Sequence, residues 1–256
     1  MTRIAAIIPA RLRSSRLPGK ALLDFHGLPM VEHVRRRTVL SGAFSDVVVA
    51  TCDREIADAV TAGGGRVIMT ADSHPGACDR IAEAMQQLDC THVMNVQGDE
   101  ILVPPEDLQR MVRAVEAQPE IPAWNAVAPI ESAEQLADPS IVKLFVARTG
   151  RVFFCARRCT DIPLSPPDFE PVVQSIGVMC FTRAFLERFI RLPRTPLECA
   201  QGIDQLRMVE QDIPLHTVRL DRGYPTINEP REVSLVEACF ATDARQRRIL
   251  QEILRG

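Results

Sequence analysis

The segment Pro9-Ala10-Arg11-Leu12-Arg13-Ser14-Ser15-Arg16-Leu17-Pro18-Gly19-Lys20 gathers four cations, two hydroxyls and one glycine. A loop of that make-up can wrap a polyphosphate, with Arg11, Arg16 and Lys20 neutralising phosphate oxygens. It lacks the Gly-x-x-x-x-Gly-Lys-Ser/Thr spacing of a P-loop. A charge run is also the ordinary make-up of a solvated loop, so the loop's place in the fold has to decide. A second segment, Asn95-Val96-Gln97-Gly98-Asp99-Glu100, ends an apolar run in an acid that follows a glycine. A carboxylate there can hold magnesium beside phosphates, because this hard ion takes one or two protein oxygens and completes its shell with phosphate and water. Asp99 is the candidate ligand. The competing reading is a plain turn with Asp at its first position.

Both segments need strands to carry them. Ile4–Pro9 is a continuous apolar run rich in β-branched residues, ending at a loop with Pro18 and Gly19, as a buried parallel strand does. Residues 31–40 read as a helix with Val31, Val34 and Val39 toward the core and Arg35, Arg36 and Arg37 toward solvent. Strands are expected at 47–51, 66–69 and 91–96, helices at 55–62 and 79–88, and a stop at Gly63-Gly64-Gly65. This alternation predicts a doubly wound α/β fold, a mostly parallel sheet between helix layers. Ligands of such sheets sit beyond the carboxyl ends of the strands, where the loops after Pro9, Thr51, Thr70 and Val96 converge, and that favours the phosphate reading. Further strands are expected at 124–130, 141–147, 151–155, 175–181 and 215–220, with helices at 184–190, 200–210 and 230–254. The proline-rich stretch 161–171 reads as a surface excursion. With its flanks, 150–175, it is the expected subunit contact of a chain that otherwise reads as a single domain, 1–256.

The 256 residues are 46% hydrophobic and 25% charged, ordinary for a globular protein and unlike a disordered one. A formal charge of −3 gives no general attraction to nucleic acid or anionic membrane. The apolar run before the basic loop is too short for a signal peptide or a spanning helix, so a cytoplasmic protein without a membrane partner is expected. Eight cysteines, with no C-x-x-C pair, read as small buried hydrophobes in a reducing compartment. One glycine in 9–20 excludes the Gly-x-Gly-x-x-Gly fingerprint, and with it a dinucleotide-dependent oxidoreductase.

Together the two chemical segments resemble the cytidylyltransferases that activate acidic sugars, most closely the 3-deoxy-manno-octulosonate (KDO) cytidylyltransferase family. Gly27-Leu28-Pro29-Met30, Val48-Val49-Ala50-Thr51, Met69-Thr70-Ala71-Asp72, Val142-Lys143, Gly177 and Asp204-Gln205-Leu206-Arg207 extend the likeness over nearly the whole chain. The resemblance implies a Rossmann-like, three-layer nucleotidyltransferase fold with a mixed sheet, and a homodimer. It implies CTP as donor, Mg2+ as cofactor, and a small acidic acceptor such as KDO that takes CMP while pyrophosphate leaves. Carried across, Ala10, Arg11, Ser14, Lys20, Cys78, Arg80 and Gln97 would meet the nucleotide, and Arg11, Lys20 and Asp99 would carry catalysis. Gln97, Arg157, Ser175, Met179, Gln205 and Arg207 would meet the acceptor, and Asp99 and Asn228 the metal.

Three segments depart from the family pattern. Ile227-Asn228-Glu229-Pro230-Arg231-Glu232 stands where the family carries Val-Asp-Thr-Pro-Glu-Asp. Asn228 offers a neutral oxygen to the metal, with Glu229 as an alternative donor, or it caps the last helix. Gly76-Ala77-Cys78-Asp79-Arg80 replaces Ser-Gly-Thr-Glu-Arg, so that Cys78 lines the base pocket or is an inert buried thiol. Ser175-Ile176-Gly177-Val178-Met179 replaces His-Leu-Gly-Ile-Tyr, which predicts a changed acceptor. Arg157 or Arg158 and Arg207 suit a carboxylate or a phosphonate such as phosphonoformate, the alternative acceptor. A catalytically degenerate CTP-binding protein is the other alternative.

Overall fold

The structure, a computed structural model, describes residues 1–14, 16–159 and 169–255. Its residues pack as two compact units, one of Met1–Arg113 with Tyr224–Gly256 and one of Ala114–Gly223. The first unit begins with β1 (Ile4–Pro9), the short hairpin β2 (Asp24–Phe25) and β3 (Leu28–Pro29), and α1 (Met30–Leu40). It continues through β4 (Asp46–Thr51), α2 (Arg54–Ala62), β5 (Arg66–Met69), α3 (Ala77–Met85) and β6 (His92–Val96). The four long strands are parallel in the order β6-β1-β4-β5. β1 is central, with Ile7 opposite Val48 on one side and Asn95 on the other. All six of its residues are buried, which is why it reads as an unbroken apolar run instead of alternating.

After α4 (Pro105–Ala117), the second unit holds β7 (Ala123–Pro129), α5 (Ala133–Ala137), β8 (Lys143–Val146), β9 (Val152–Ala156) and β10 (Val172–Thr182). Then come α6 (Arg183–Phe189), α7 (Pro196–Gln201), α8 (Gln205–Glu210) and β11 (Leu215–Arg219). β7 pairs antiparallel with β10 and parallel with β11, while β8 pairs antiparallel with β10 and β9. The chain returns to the first unit through α9 (Pro230–Thr242) and α10 (Ala244–Arg255).

Several expectations are corrected. Of the three arginines assigned to the solvent side of α1, Arg35 and Arg37 are buried and Val39 is exposed. Glu32, itself buried, accepts from Arg35 Nε at 2.6 Å and Arg36 Nε at 3.2 Å. Arg37 donates to Val103 O at 3.4 Å, its guanidinium lies 5.9 Å from the Phe240 ring centre, and burial pushes its pKa down to about 9. α1 packs against β4, α2 and α10, so more than one of its sides meets the protein. The helix expected at 200–210 is two helices, parted where Gly202 takes the left-handed φ of 61°. The helix expected at 230–254 breaks at Asp243, whose Oδ1 accepts from Arg245 N at 2.8 Å and Gln246 N at 3.1 Å and so starts α10.

Of the excursion, residues 160–168 lie outside the described residues. Beyond them Glu170 and Pro171 are exposed as expected, while Phe169 is anchored in a buried cluster with Ile130, Leu136, Ala156, Cys159 and Val172. No disulfide joins any of the eight cysteines. Five are buried as expected, but Cys52 and Cys239 are half-buried and Cys199 is exposed.

Candidate active site

The basic loop is shaped by its own backbone and by Asp53. Ala10 N prolongs the β1 ladder with a bond to Ala50 O at 3.0 Å, and Leu12 N donates to Asp53 Oδ2 at 2.7 Å. Asp53 occupies the N-cap position of α2 but makes no side-chain capping bond, so this carboxylate tethers the loop and does not cap the helix. Leu12 O accepts from Ser14 N at 2.9 Å and Gly19 N at 2.8 Å, closing the loop on itself. Gly19 has φ 75°, a region costly for residues with a Cβ, and it turns the chain into the 3-10 turn Lys20–Leu22.

Lys20 therefore points back across the sheet. Its Nζ donates to Asp99 Oδ2 at 2.8 Å, Ile227 O at 2.8 Å and Asn228 Oδ1 at 3.2 Å. Asp99 reaches it because Gly98 lies against the end of β1; a Cβ on Gly98 would stand 2.8 Å from Pro9 O. Asn228 also accepts from Arg16 NH2 at 3.2 Å. The capping reading of Asn228 is corrected: the N-cap of α9 is Glu229, in a capping box with Glu232. Glu229 pairs with Arg231 at 3.1 Å and approaches Arg16 at 3.8 Å.

Arg16, Lys20, Gly98, Asp99 and Asn228 line a cavity of about 250 Å³ together with Ala10, Arg11, Ser14, Gly76, Ala77, Arg80 and Gln97. Arg11 has no polar partner among the described residues and is exposed, so its guanidinium is open to an anion. Arg80 is buried and bonded to Thr70 Oγ1, which fixes it at the cavity wall. Cys78 is buried and is not among the lining residues; Gly76, Ala77 and Arg80 present the start of α3 instead.

The residues expected to meet the acceptor lie in the second unit. Ser175 and Gln205 are brought together, Gln205 Nε2 standing 3.3 Å from Ser175 Oγ, and Met179 is buried in β10. The two arginines are engaged elsewhere. Arg207 donates from Nε to Glu198 Oε2 at 2.7 Å and stacks on Phe189 at 4.4 Å. Arg157 donates to Gln201 O at 2.8 Å, Gly202 O at 3.1 Å and Pro139 O at 3.2 Å, holding the end of α7. A residue the sequence reading did not single out, Asn125, joins Ser175 and Gln205. Its signal was there: an amide inside the apolar run Ala123-Trp124-Asn125-Ala126-Val127 must find partners when the strand is buried.

Cations set around one carboxylate, with Arg11 open among them, at the carboxyl ends of parallel strands wound with helices, make this an α/β nucleotidyltransferase. Residues 5–215 match the family model described as Cytidylyltransferase. The chain belongs to that family. The 3-deoxy-manno-octulosonate cytidylyltransferase of Geobacter metallireducens is 34% identical over 250 residues, 91% of this chain and 96% of its own length. The 8-amino-3,8-dideoxy-manno-octulosonate cytidylyltransferase of Shewanella halifaxensis is 32% identical over 244 residues, 94% of this chain and 99% of its own. The solved structure of CMP:2-keto-3-deoxy-manno-octonic acid synthetase complexed with CTP matches with a TM-score of 0.87 at 31% identity, covering 94% of this chain and 100% of that one.

Proposed function

We propose that this protein transfers CMP from CTP to an eight-carbon ulosonic acid, KDO or a close relative, and releases pyrophosphate. The observation that carries the reading is the meeting of Lys20 Nζ with Asp99 Oδ2 at 2.8 Å in a cavity that Arg11, Ser14, Arg80 and Gln97 also line. The names of the relatives support the acceptor class.

Arg11 is open to phosphate oxygens of CTP, Lys20 reaches them once its ammonium leaves Asp99 and Asn228, and Gln97 and Arg80, which line the same cavity, hold the nucleotide. An acceptor hydroxyl attacks the α-phosphorus in line, and the cations of the loop stabilise the charge that gathers on the departing pyrophosphate. No covalent enzyme intermediate is needed. Two hard oxygens, Asp99 Oδ2 and Asn228 Oδ1, converge on one cationic point, held by Lys20 Nζ at 2.8 and 3.2 Å, and that donor pair fits Mg2+. Asp99 Oδ2 and Asn228 Oδ1 are the side-chain oxygens that would hold it. When bound there, Mg2+ supplies Lewis-acid polarisation of a phosphoryl oxygen.

The support that a carboxylate or a phosphonate acceptor drew from Arg157 and Arg207 is lost alike, because both guanidinium groups are committed to protein partners, and of the three arginines the exposed Arg158 remains. A cytoplasmic location is part of the proposal because CTP is the donor; separately, no helix among the described residues is long and apolar enough to cross a membrane. A homodimer is part of the proposal, supported by Phe153 and Phe154 of β9, both exposed.

The test is pyrophosphate release from CTP and Mg2+ with KDO, its 8-amino analogue, other ulosonic acids and phosphonoformate. Release with an eight-carbon ulosonic acid is expected, and Asp99→Asn should lower kcat by about a hundredfold or more while the protein stays folded. CTP binding without release for any acid would leave the degenerate binder as the better account.

A further inference from the structure

Asn125 is wholly buried in the middle of β7. Its Nδ2 donates to Ala126 O at 2.8 Å and to Ile176 O at 2.9 Å, the latter where β10 shifts register against β7 between Ser175 and Met179. Both amide hydrogens are thereby engaged by backbone carbonyls, and Oδ1 has to face the other way. There it accepts from Gln205 Nε2 at 2.9 Å and from Ser175 Oγ at 3.2 Å. Gln205 Nε2 also lies 3.3 Å from Ser175 Oγ. A flipped Gln205 amide would set Oε1 against Asn125 Oδ1, acceptor against acceptor. Gln205 therefore turns its NH2 inward, and its Oε1, on a half-buried side chain at the start of α8, has no partner among the described residues.

We propose that Asn125 is a positioning residue that fixes the Gln205 amide so that Oε1 accepts a hydrogen bond from a hydroxyl or ammonium group of the acceptor substrate. The proposal rests on the transfer reaction read above and deepens it. An outward carbonyl oxygen repels a carboxylate, so this part of the second unit recognises a donor group of the acceptor and not its acid. The acceptor's acid is not met by Arg157 or Arg207 either, since their guanidinium groups are committed. Specificity at Gln205 is thus decided by a residue that touches no substrate.

The experiment compares wild type, Asn125→Leu and Asn125→Asp in steady-state kinetics with the best acceptor of the panel. Alongside, NMR follows the side-chain amide of Gln205 in isotope-labelled protein. Asn125→Leu is expected to raise the acceptor KM about tenfold, the effect of one lost hydrogen bond to a buried partner, while kcat and the KM for CTP change less than about twofold. In Asn125→Asp, burial and the two facing carbonyls keep the carboxyl protonated, so that its O–H donates to one of them while the other oxygen faces Gln205, and the acceptor KM is expected to return to within about threefold of wild type. The Gln205 amide hydrogens should lose their exchange protection in Asn125→Leu and keep it in Asn125→Asp. Should the leucine variant not fold, Ser175→Ala removes one partner of Gln205 at a half-exposed position and is expected to raise only the acceptor KM, by about threefold. Equal effects of leucine and aspartate, a joint rise of both KM values, or an unchanged Gln205 amide in Asn125→Leu would overturn the role. If wild type binds CTP and transfers CMP to no acid, the reaction itself fails, and the Gln205 resonances alone then decide whether Asn125 positions it.

Discussion

Lys20 is the residue on which the cavity turns. Three acceptors meet its ammonium, and one of them, Asn228, is neutral where the family pattern has an acid. In the proposed site a second carboxylate would raise the local negative charge, so the neutral amide would hold a divalent cation less tightly. Asn228→Asp is expected to lower the apparent Kd for Mg2+ in the presence of CTP by about tenfold, read by calorimetric titration. An unchanged Kd would mean that residue 228 serves only Lys20 and Arg16. The types and order of Arg11, Lys20, Gln97 and Asp99 are legible in the chain itself. Asn228 is legible there as a departure but not as a partner of Lys20, because 208 residues separate the two and only folding brings them within 3.2 Å.

At the scale of elements, the site exists because two parallel strands end side by side. β1 and β6 are neighbours in register, and the loops that leave them touch at Gly98, where a Cβ would lie 2.8 Å from Pro9 O. Gly98→Ala must push the two loops apart. A loss of about 1–3 kcal/mol of stability is expected from thermal unfolding, with a larger proportional fall in kcat/KM than in folded fraction, since Asp99 is displaced from Lys20. Retained kcat/KM would show that the loops yield without moving Asp99. The strands and most helices of the first unit followed from periodicity, because a continuous apolar run can only be a buried strand or helix and these runs are short. α1 misled for a physical reason. A helix packed by neighbours on more than one side buries arginines when a glutamate, a carbonyl or an aromatic face receives them, as Glu32, Val103 and Phe240 do.

For the whole molecule, the proposed homodimer makes its own prediction. On β9, Phe153 is 57% and Phe154 42% exposed, both in ring contact with Phe145 of β8. Apolar area of this kind favours cover by a second chain. Sedimentation is expected to give a dimer for wild type and a monomer for the double variant Phe153→Glu, Phe154→Glu; a monomeric wild type would remove the dimer from the proposal. The sequence by itself determined the alternation of strands and helices, the cationic loop after the first strand and the acid after β6, since these depend on local periodicity and on residue type. Tertiary structure alone decided the division into two units, the burial of Arg35 and Arg37, the commitment of Arg157 and Arg207 to protein partners, and the joining of Asn125 with Ser175 and Gln205. Each of these turns on which distant group a polar side chain meets, and a long flexible cation or an amide reads the same in the chain whether it faces a ligand, a carboxylate or a carbonyl.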